Sequence, residues 1–196
     1  MPHVEPLARE ELKEFEPVFE LVEGAMGFVP NSMLTLGRRP EILQGFAALA
    51  GSVLAGGTIE PELKNLVSYV ASNAAGCNYC QAHTAHTATH QGADPAKIAV
   101  AFEFETNALF SEAERAALRL ARDSALVPNL VTAEHFAALR AHFSEEQVVE
   151  IVAVCSLFGW LNRWNDTMAT ELESSPLASA KQTLDRSGWQ TGKHAR

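Results

Sequence analysis

Apolar residues recur along this chain every three or four positions, and no stretch alternates for long enough to read as a strand. From about Ala8 to Met26 the apolar positions are Leu12, Phe15, Val18, Phe19, Val22 and Met26, one face of a helix. Gly27 to Asn31 reads as a turn, and Pro30 with Asn31 starts a short helix through Leu36. Pro40 opens the next helix, which runs past Phe46, Leu49 and Val53 to a stop at Gly56-Gly57. A long segment from about Ile59 to Ala75 follows, with Thr58 as its predicted N-cap and Pro61 in its first turn. Asp94-Pro95 predicts a helix reaching about Asn107. Ser111 with Glu114, and Ser144 with Gln147, are capping boxes, the first opening a helix to about Leu126 and the second one to about Glu171. Between them Thr132 caps a short helix through His142, and Pro176 begins a last one. The fold class is all-α, with residues 1–186 as a single helical domain and 187–196 as a polar C-terminal tail.

One weak internal echo appears when the sequence slides by 85 residues. Glu60 then falls on Glu145, Val67 on Val152, Tyr79 on Trp164, and Cys77 and Cys80 on Asn162 and Asn165. Either a duplicated helical motif or chance similarity between two amphipathic helices accounts for it.

Composition narrows the function. The 196 residues are 47% hydrophobic and 20% charged, enough for a buried core. The net charge of −9, with no basic run, argues against nucleic acid or an anionic membrane as partner. No apolar stretch reaches the ~20 residues a bilayer span needs. The opening Met1-Pro2-His3-Val4-Glu5 lacks the features of a secretory signal, so the expected location is cytoplasmic. Three cysteines are no disulfide framework; a close pair in a reducing compartment points to catalysis or metal binding.

That pair is the chemical centre of the sequence. Gly76-Cys77-Asn78-Tyr79-Cys80-Gln81-Ala82-His83 places two thiols and an imidazole at steps of three, on neighbouring turns of one broad helix face. Gly76 permits a break, so Cys77 and Cys80 start a helix whose positive end favours a thiolate. His83 lies about 60° around the helix from Cys80, placed to relay its proton. Zinc is the rival ligand for Cys77, Cys80, His83 and His86. All four share one helix, however, and His86 turns about 180° from Cys77, so they cannot close a tetrahedron. His86 and His90 read as surface residues, Tyr79 as a packing residue or pocket wall, and Cys155 as an inert buried thiol among Val152, Val154, Leu157 and Phe158. Phe158, Trp160 and Trp164 read as core or subunit interface, with a pocket lining as the other reading. Asn162, Arg163, Asn165 and Asp166 read as a hydrogen-bonded knot.

Glu62 to Val67, through Gly76-Cys77-x-x-Cys80-x-x-His83, resembles the core motif of the AhpD-like alkylhydroperoxidases of the carboxymuconolactone decarboxylase superfamily. Gly27-Phe28-Val29-Pro30-Asn31 and Leu161 to Asp166 resemble its peroxidase-related branch. The resemblance implies an AhpD-like helical bundle assembled as dimers or trimers of dimers. It implies reduction of small organic hydroperoxides with no cofactor and no metal. Cys80 attacks the peroxide, Cys77 resolves the sulfenic acid as a disulfide, and an external dithiol reductant restores the pair. The motif also departs from its relatives. A Glu twelve residues before the first cysteine is Asn65 here, and two relay histidines are Tyr79 and Thr84. Glu62, Glu150 and Tyr79 are the candidates for completing the proton relay. A decarboxylase or lactone-processing enzyme, and a non-enzymatic redox-sensing oligomer, are the competing functions.

Overall fold

A computed structural model describes residues 1–195. A 3-10 turn at Arg9–Phe15 leads into ten α-helices among those residues: α1 Glu16–Met26, α2 Asn31–Leu36, α3 Pro40–Leu54, α4 Pro61–Ala74 and α5 Asn78–His90, followed by α6 Pro95–Ala99, α7 Glu112–Ser124, α8 Ala133–Arg140, α9 Glu145–Met168 and α10 Ser174–Thr183. The described residues contain no strand, and none of their helices is long and apolar enough to cross a membrane.

The helix α4 is the axis of the bundle, with α5, α7 and α9 packed around it. Leu63, Leu66, Val67, Tyr69, Val70 and Ala71 are buried, as are Lys64, Ser68 and Ser72, so α4 has almost no solvent face. Its polar groups are met internally. Ser68 Oγ donates to the Lys64 carbonyl at 2.7 Å. Lys64 Nζ donates to the Val53 carbonyl at 2.9 Å and also to that of Gly56. A smaller apolar cluster of Leu12, Phe15, Phe19, Met33, Leu36 and Leu43 joins the N-terminal helices.

Both capping boxes form as the sequence predicts, with Ser111 Oγ accepting from Glu114 N at 3.2 Å and Ser144 Oγ from Gln147 N at 3.3 Å. Other boundaries differ. The first helix is interrupted at Leu12 (φ −118°, ψ 35°) and restarts at Glu16-Pro17, because proline has no N–H to continue a ladder. Thr58 caps nothing: Glu60 is the N-cap of α4, and Thr58 N and Ile59 N instead donate to the Glu150 carboxylate. Gly57, at φ +85°, passes so close to that carboxylate that any side chain would collide with it. The helix opened by Asp94-Pro95 ends at Ala99 rather than near Asn107, and Arg115 takes the carbonyls of Phe104 and Asn107 beyond it.

The expected polar tail is packed rather than free. Trp189 Nε1 donates to the Asn78 carbonyl at 2.9 Å, Leu172 N donates to the His194 carbonyl at 3.0 Å, and His194 is buried. Arg196 lies outside the described residues. The two halves of the echo also differ in architecture: α4 and α5 are separated by a sharp break, whereas α9 runs unbroken through the matching positions.

Candidate active site around Cys77 and Cys80

The local sequence makes the break between α4 and α5. Gly76 takes φ +73°, a left-handed value glycine adopts without strain. Gly76 N then bonds the Asn73 carbonyl at 3.0 Å and Cys77 N the Ser72 carbonyl at 3.1 Å, the paired bonds of a Schellman stop. The chain leaves this stop with Cys77 as the N-cap of α5, its Sγ accepting from Cys80 N at 3.4 Å. The predicted helix-start position of the pair is therefore what the chain adopts, and all three cysteines are free thiols.

Neither thiol of the pair is exposed: Cys77 is 1% and Cys80 3% accessible. The pair divides the charge unequally. The hydrogen bond from the Cys80 thiol lowers the pKa of Cys77 against the cost of burial, with the Cys80 and Tyr79 backbone N–H groups adding to it. Burial, then the neighbouring Cys77 sulfur, push the Cys80 thiol well above its ordinary value, while Asn165 works the other way. Of the two, Cys77 is the sulfur on which negative charge is favoured, and Cys80 holds its proton the more firmly.

One turn along α5, His83 Nε2 lies 2.6 Å from Glu173 Oε2. The His83 ring is stacked on Tyr79 (centroids 4.0 Å apart, 27° between planes) and meets Phe28 edge-on at 5.1 Å. Glu173, the N-cap residue of α10, also accepts from the Tyr79 hydroxyl at 2.9 Å and from Asn31 N at 2.5 Å. Burial raises the Glu173 pKa, but the charge and hydrogen bond of His83, with the Asn31 N–H, outweigh it and hold the group below its ordinary value. Glu173 is thus a carboxylate, an acceptor only, so the His83 nitrogen facing it, Nε2, carries a proton. Burial and the Glu173 charge raise the Tyr79 hydroxyl well above its ordinary value, so it stays a donor.

Of the residues singled out from sequence, the fold brings together Cys77, Cys80, His83 and Tyr79. It takes Glu62 and Glu150 elsewhere. Glu62 pairs with Lys97 at 3.0 Å and is 43% exposed at its side chain. Glu150 is spent on Thr58, Ile59 and, at 3.7 Å, Lys64. Asn65, the departure that prompted both, bonds Gln91 at 3.0 Å. The carboxylate of the site is Glu173, and its sequence signal was slight: an acidic residue just before Ser174-Ser175-Pro176 at a helix start.

The four-residue knot also comes apart. Asn165 Nδ2 donates to Cys80 Sγ at 3.4 Å, Asp166 pairs with Lys193 at 2.8 Å, Arg163 is exposed, and Asn162 is buried without a protein partner for its amide. His86 is half-buried with Nε2 against the Met26 carbonyl at 3.0 Å, and His90 is exposed. Trp160 stacks between Phe46 (5.1 Å) and Trp164 (5.4 Å) and is 39% exposed, whereas Phe158 is buried. Cys155 is buried, which pushes its pKa up to about 11. Among the described residues no three His, Cys, Asp or Glu side chains gather as a metal site.

The model of the carboxymuconolactone decarboxylase family matches residues 40–123. The crystal structure of the debrominase Bmp8 without ligand is 39% identical, with a TM-score of 0.87, covering 92% of this chain and 97% of that one. A cysteine-to-alanine variant of Bmp8 in complex with 2,3,4-tribromopyrrole is 38% identical, with a TM-score of 0.88, covering 92% and 96%. A peroxidase-related protein with an AhpD core from Ralstonia eutropha JMP134 shares the fold at 24% identity and a TM-score of 0.74, covering 84% and 87%. No curated protein matches the chain. With this family model and relatives of that identity over nearly the whole chain, the chain belongs to the carboxymuconolactone decarboxylase family.

Proposed function

We propose that this protein is a dithiol-dependent reductase of small organic electrophiles, with an organic hydroperoxide as substrate. The observation that carries the reading is the placement of two free, mutually hydrogen-bonded thiols at the start of α5, one turn from the His83–Glu173 pair. Cys77, the thiol of the pair that ionises more readily, takes the Cys80 proton in its thiolate form as the Cys80 sulfur attacks the terminal oxygen of the hydroperoxide. The O–O bond breaks, the sulfur keeps the OH as a sulfenic acid, and the alkoxide leaves as alcohol after taking a proton delivered through His83 Nδ1. Cys77, again a thiolate once its proton has passed to the departing hydroxide, attacks the sulfenic sulfur. Water departs, a Cys77–Cys80 disulfide remains, and an external dithiol returns two electrons and two protons. The exposed apolar side chains of Leu49, Leu54 and Trp160 on α3 and α9 support the homo-oligomer expected of the family.

A second substrate class is favoured by one specific observation, the similarity to Bmp8 over nearly its whole length. The same dithiol reduces a carbon–bromine bond if Cys80 takes bromine as a sulfenyl bromide and the carbon takes a proton. Cys77 then expels bromide to give the same disulfide. Steady-state assays with dithiothreitol, using cumene hydroperoxide in one arm and 2,3,4-tribromopyrrole in the other, separate the two. Alcohol formation supports the peroxidase, bromide release supports the debrominase, and oxidation of the pair with neither substrate turned over leaves the redox-sensing role.

A further inference from the structure

We propose that Asn165 is a catalytic residue of the thiol site: its amide N–H stabilises negative charge on the Cys80 sulfur, and the Thr170 hydroxyl holds the amide in the donating orientation. The inference rests on the reading that Cys80 is the attacking sulfur. Asn165 is 1% exposed and its Nδ2 lies 3.4 Å from Cys80 Sγ. The other end of the same amide, Oδ1, accepts from Thr170 Oγ1 at 2.9 Å. Either end of an amide can meet a hydroxyl, but the Cys80 thiol spends its own proton on Cys77, so only Nδ2 can meet Cys80 Sγ and one network fixes the orientation.

The backbone is built to keep Thr170 there. The helix α9 ends at Ala169 in the left-handed region (φ 49°, ψ 43°), which a residue with a Cβ adopts at a cost. That turn directs both Ala169 N and Thr170 N to the Asn165 carbonyl, the latter at 3.2 Å. Thr170 is thereby tied to Asn165 through main chain and side chain together. From the other side, His194 Nδ1 donates to the Thr170 carbonyl at 2.8 Å. Strain at an alanine, placed where the chain turns under a reactive sulfur, fits a functional contact. The site also needs one: burial, the adjacent Cys77 and the Asp166 carboxylate all oppose charge on Cys80, and Asn165 is the side chain that opposes them. Charge transferred from Cys77 to Cys80 at the moment of attack is met by a donor already in place.

The test is a pH titration of the Cys80 Cβ resonance in selectively labelled protein, alongside the single-turnover rate with cumene hydroperoxide. Asn165→Ala should raise the Cys80 midpoint by about one unit, leaving about tenfold less thiolate at any pH below it. Asn165→Asp should raise it further, since a carboxylate repels the thiolate. Thr170→Val should reproduce part of the Asn165→Ala shift, and Thr170→Ser should restore the wild-type midpoint. An unchanged midpoint in folded Asn165→Ala overturns the proposal, as do equal midpoints in Thr170→Val and Thr170→Ser should the Asn165 variants fail to fold. If cumene hydroperoxide leaves the Cys77–Cys80 pair reduced in the wild type, the peroxidase reading fails instead, and the titration still decides the Asn165 contact.

Discussion

His83 and Glu173 are separated by 90 residues of sequence, yet their side chains meet at 2.6 Å. The contact fixes Nε2 as a protonated nitrogen, and on the proposed reaction path Nδ1 is the one that exchanges a proton. In Glu173→Gln the amide oxygen stays with the two donors Asn31 N and the Tyr79 hydroxyl, so the NH2 faces His83 Nε2–H and the ring must reverse its tautomer to avoid two facing donors. Turnover is expected to fall by about 10²-fold, with Cys77–Cys80 disulfide formation slowed to match. Stopped-flow measurement of hydroperoxide consumption checks this, and an unchanged rate removes His83 from the proton path.

The same carboxylate makes stability depend on pH. Its folded pKa lies below the ordinary 4.5, so the stabilisation it contributes is complete above about pH 4.5 and is lost as pH falls through the depressed folded value. Urea melts on the acid side should therefore show a steeper loss for the wild type than for Glu173→Gln. Parallel profiles would show that the carboxylate is not held by His83.

The two carboxylates suggested by sequence should behave as structural groups. Glu62→Gln, at a partly exposed ion pair, should change stability by less than about 1 kcal/mol. Glu150→Ala strips the partners from Thr58 N and Ile59 N and leaves the buried Lys64 ammonium with carbonyls alone, so a loss of about 2–4 kcal/mol is expected. Activity per folded molecule should be retained in both, measured as thiol-dependent peroxide consumption corrected for the folded fraction. A selective loss of activity in either would restore it to the relay.

Much of this was legible in the residues, for physical reasons that also mark the limits. The Schellman stop at Gly76 and the cap at Cys77 are local, so spacing and one glycine sufficed to place the thiols. Glu173 is a tertiary fact: it joins the site because α10 starts beside α2 and α5, and no periodicity encodes that. Asn165 was legible as part of a polar knot and as the 85-residue echo of Cys80, and the echo fell on a true contact although α9 lacks the break of the α4–α5 unit. The tail misled because its composition is polar, while one indole and one imidazole, Trp189 and His194, anchor it.

That anchoring has a measurable consequence. Removing the chain from Gly188 onward deletes the Trp189 bond to Asn78 and the buried His194 ring, which packs 5.7 Å from Tyr79. A stability loss of about 2–4 kcal/mol is expected, together with faster alkylation of Cys77 by iodoacetamide in the molecules that remain folded. Alkylation at the wild-type rate would show that the segment does not cover the thiols.

On the proposed function, Cys77 and Cys80 act as one two-electron unit. Reduced protein mixed with one equivalent of cumene hydroperoxide, quenched with an alkylating agent and mapped by mass spectrometry, tests it most directly. One Cys77–Cys80 disulfide and one alcohol per chain are expected, with Cys155 still alkylated only after unfolding and both thiols fully returned on adding dithiothreitol. In Cys77→Ser the oxidation should stop at a sulfenic acid on Cys80. Oxidation confined to Cys155, or alcohol formed at the same rate by Cys80→Ser, would contradict it.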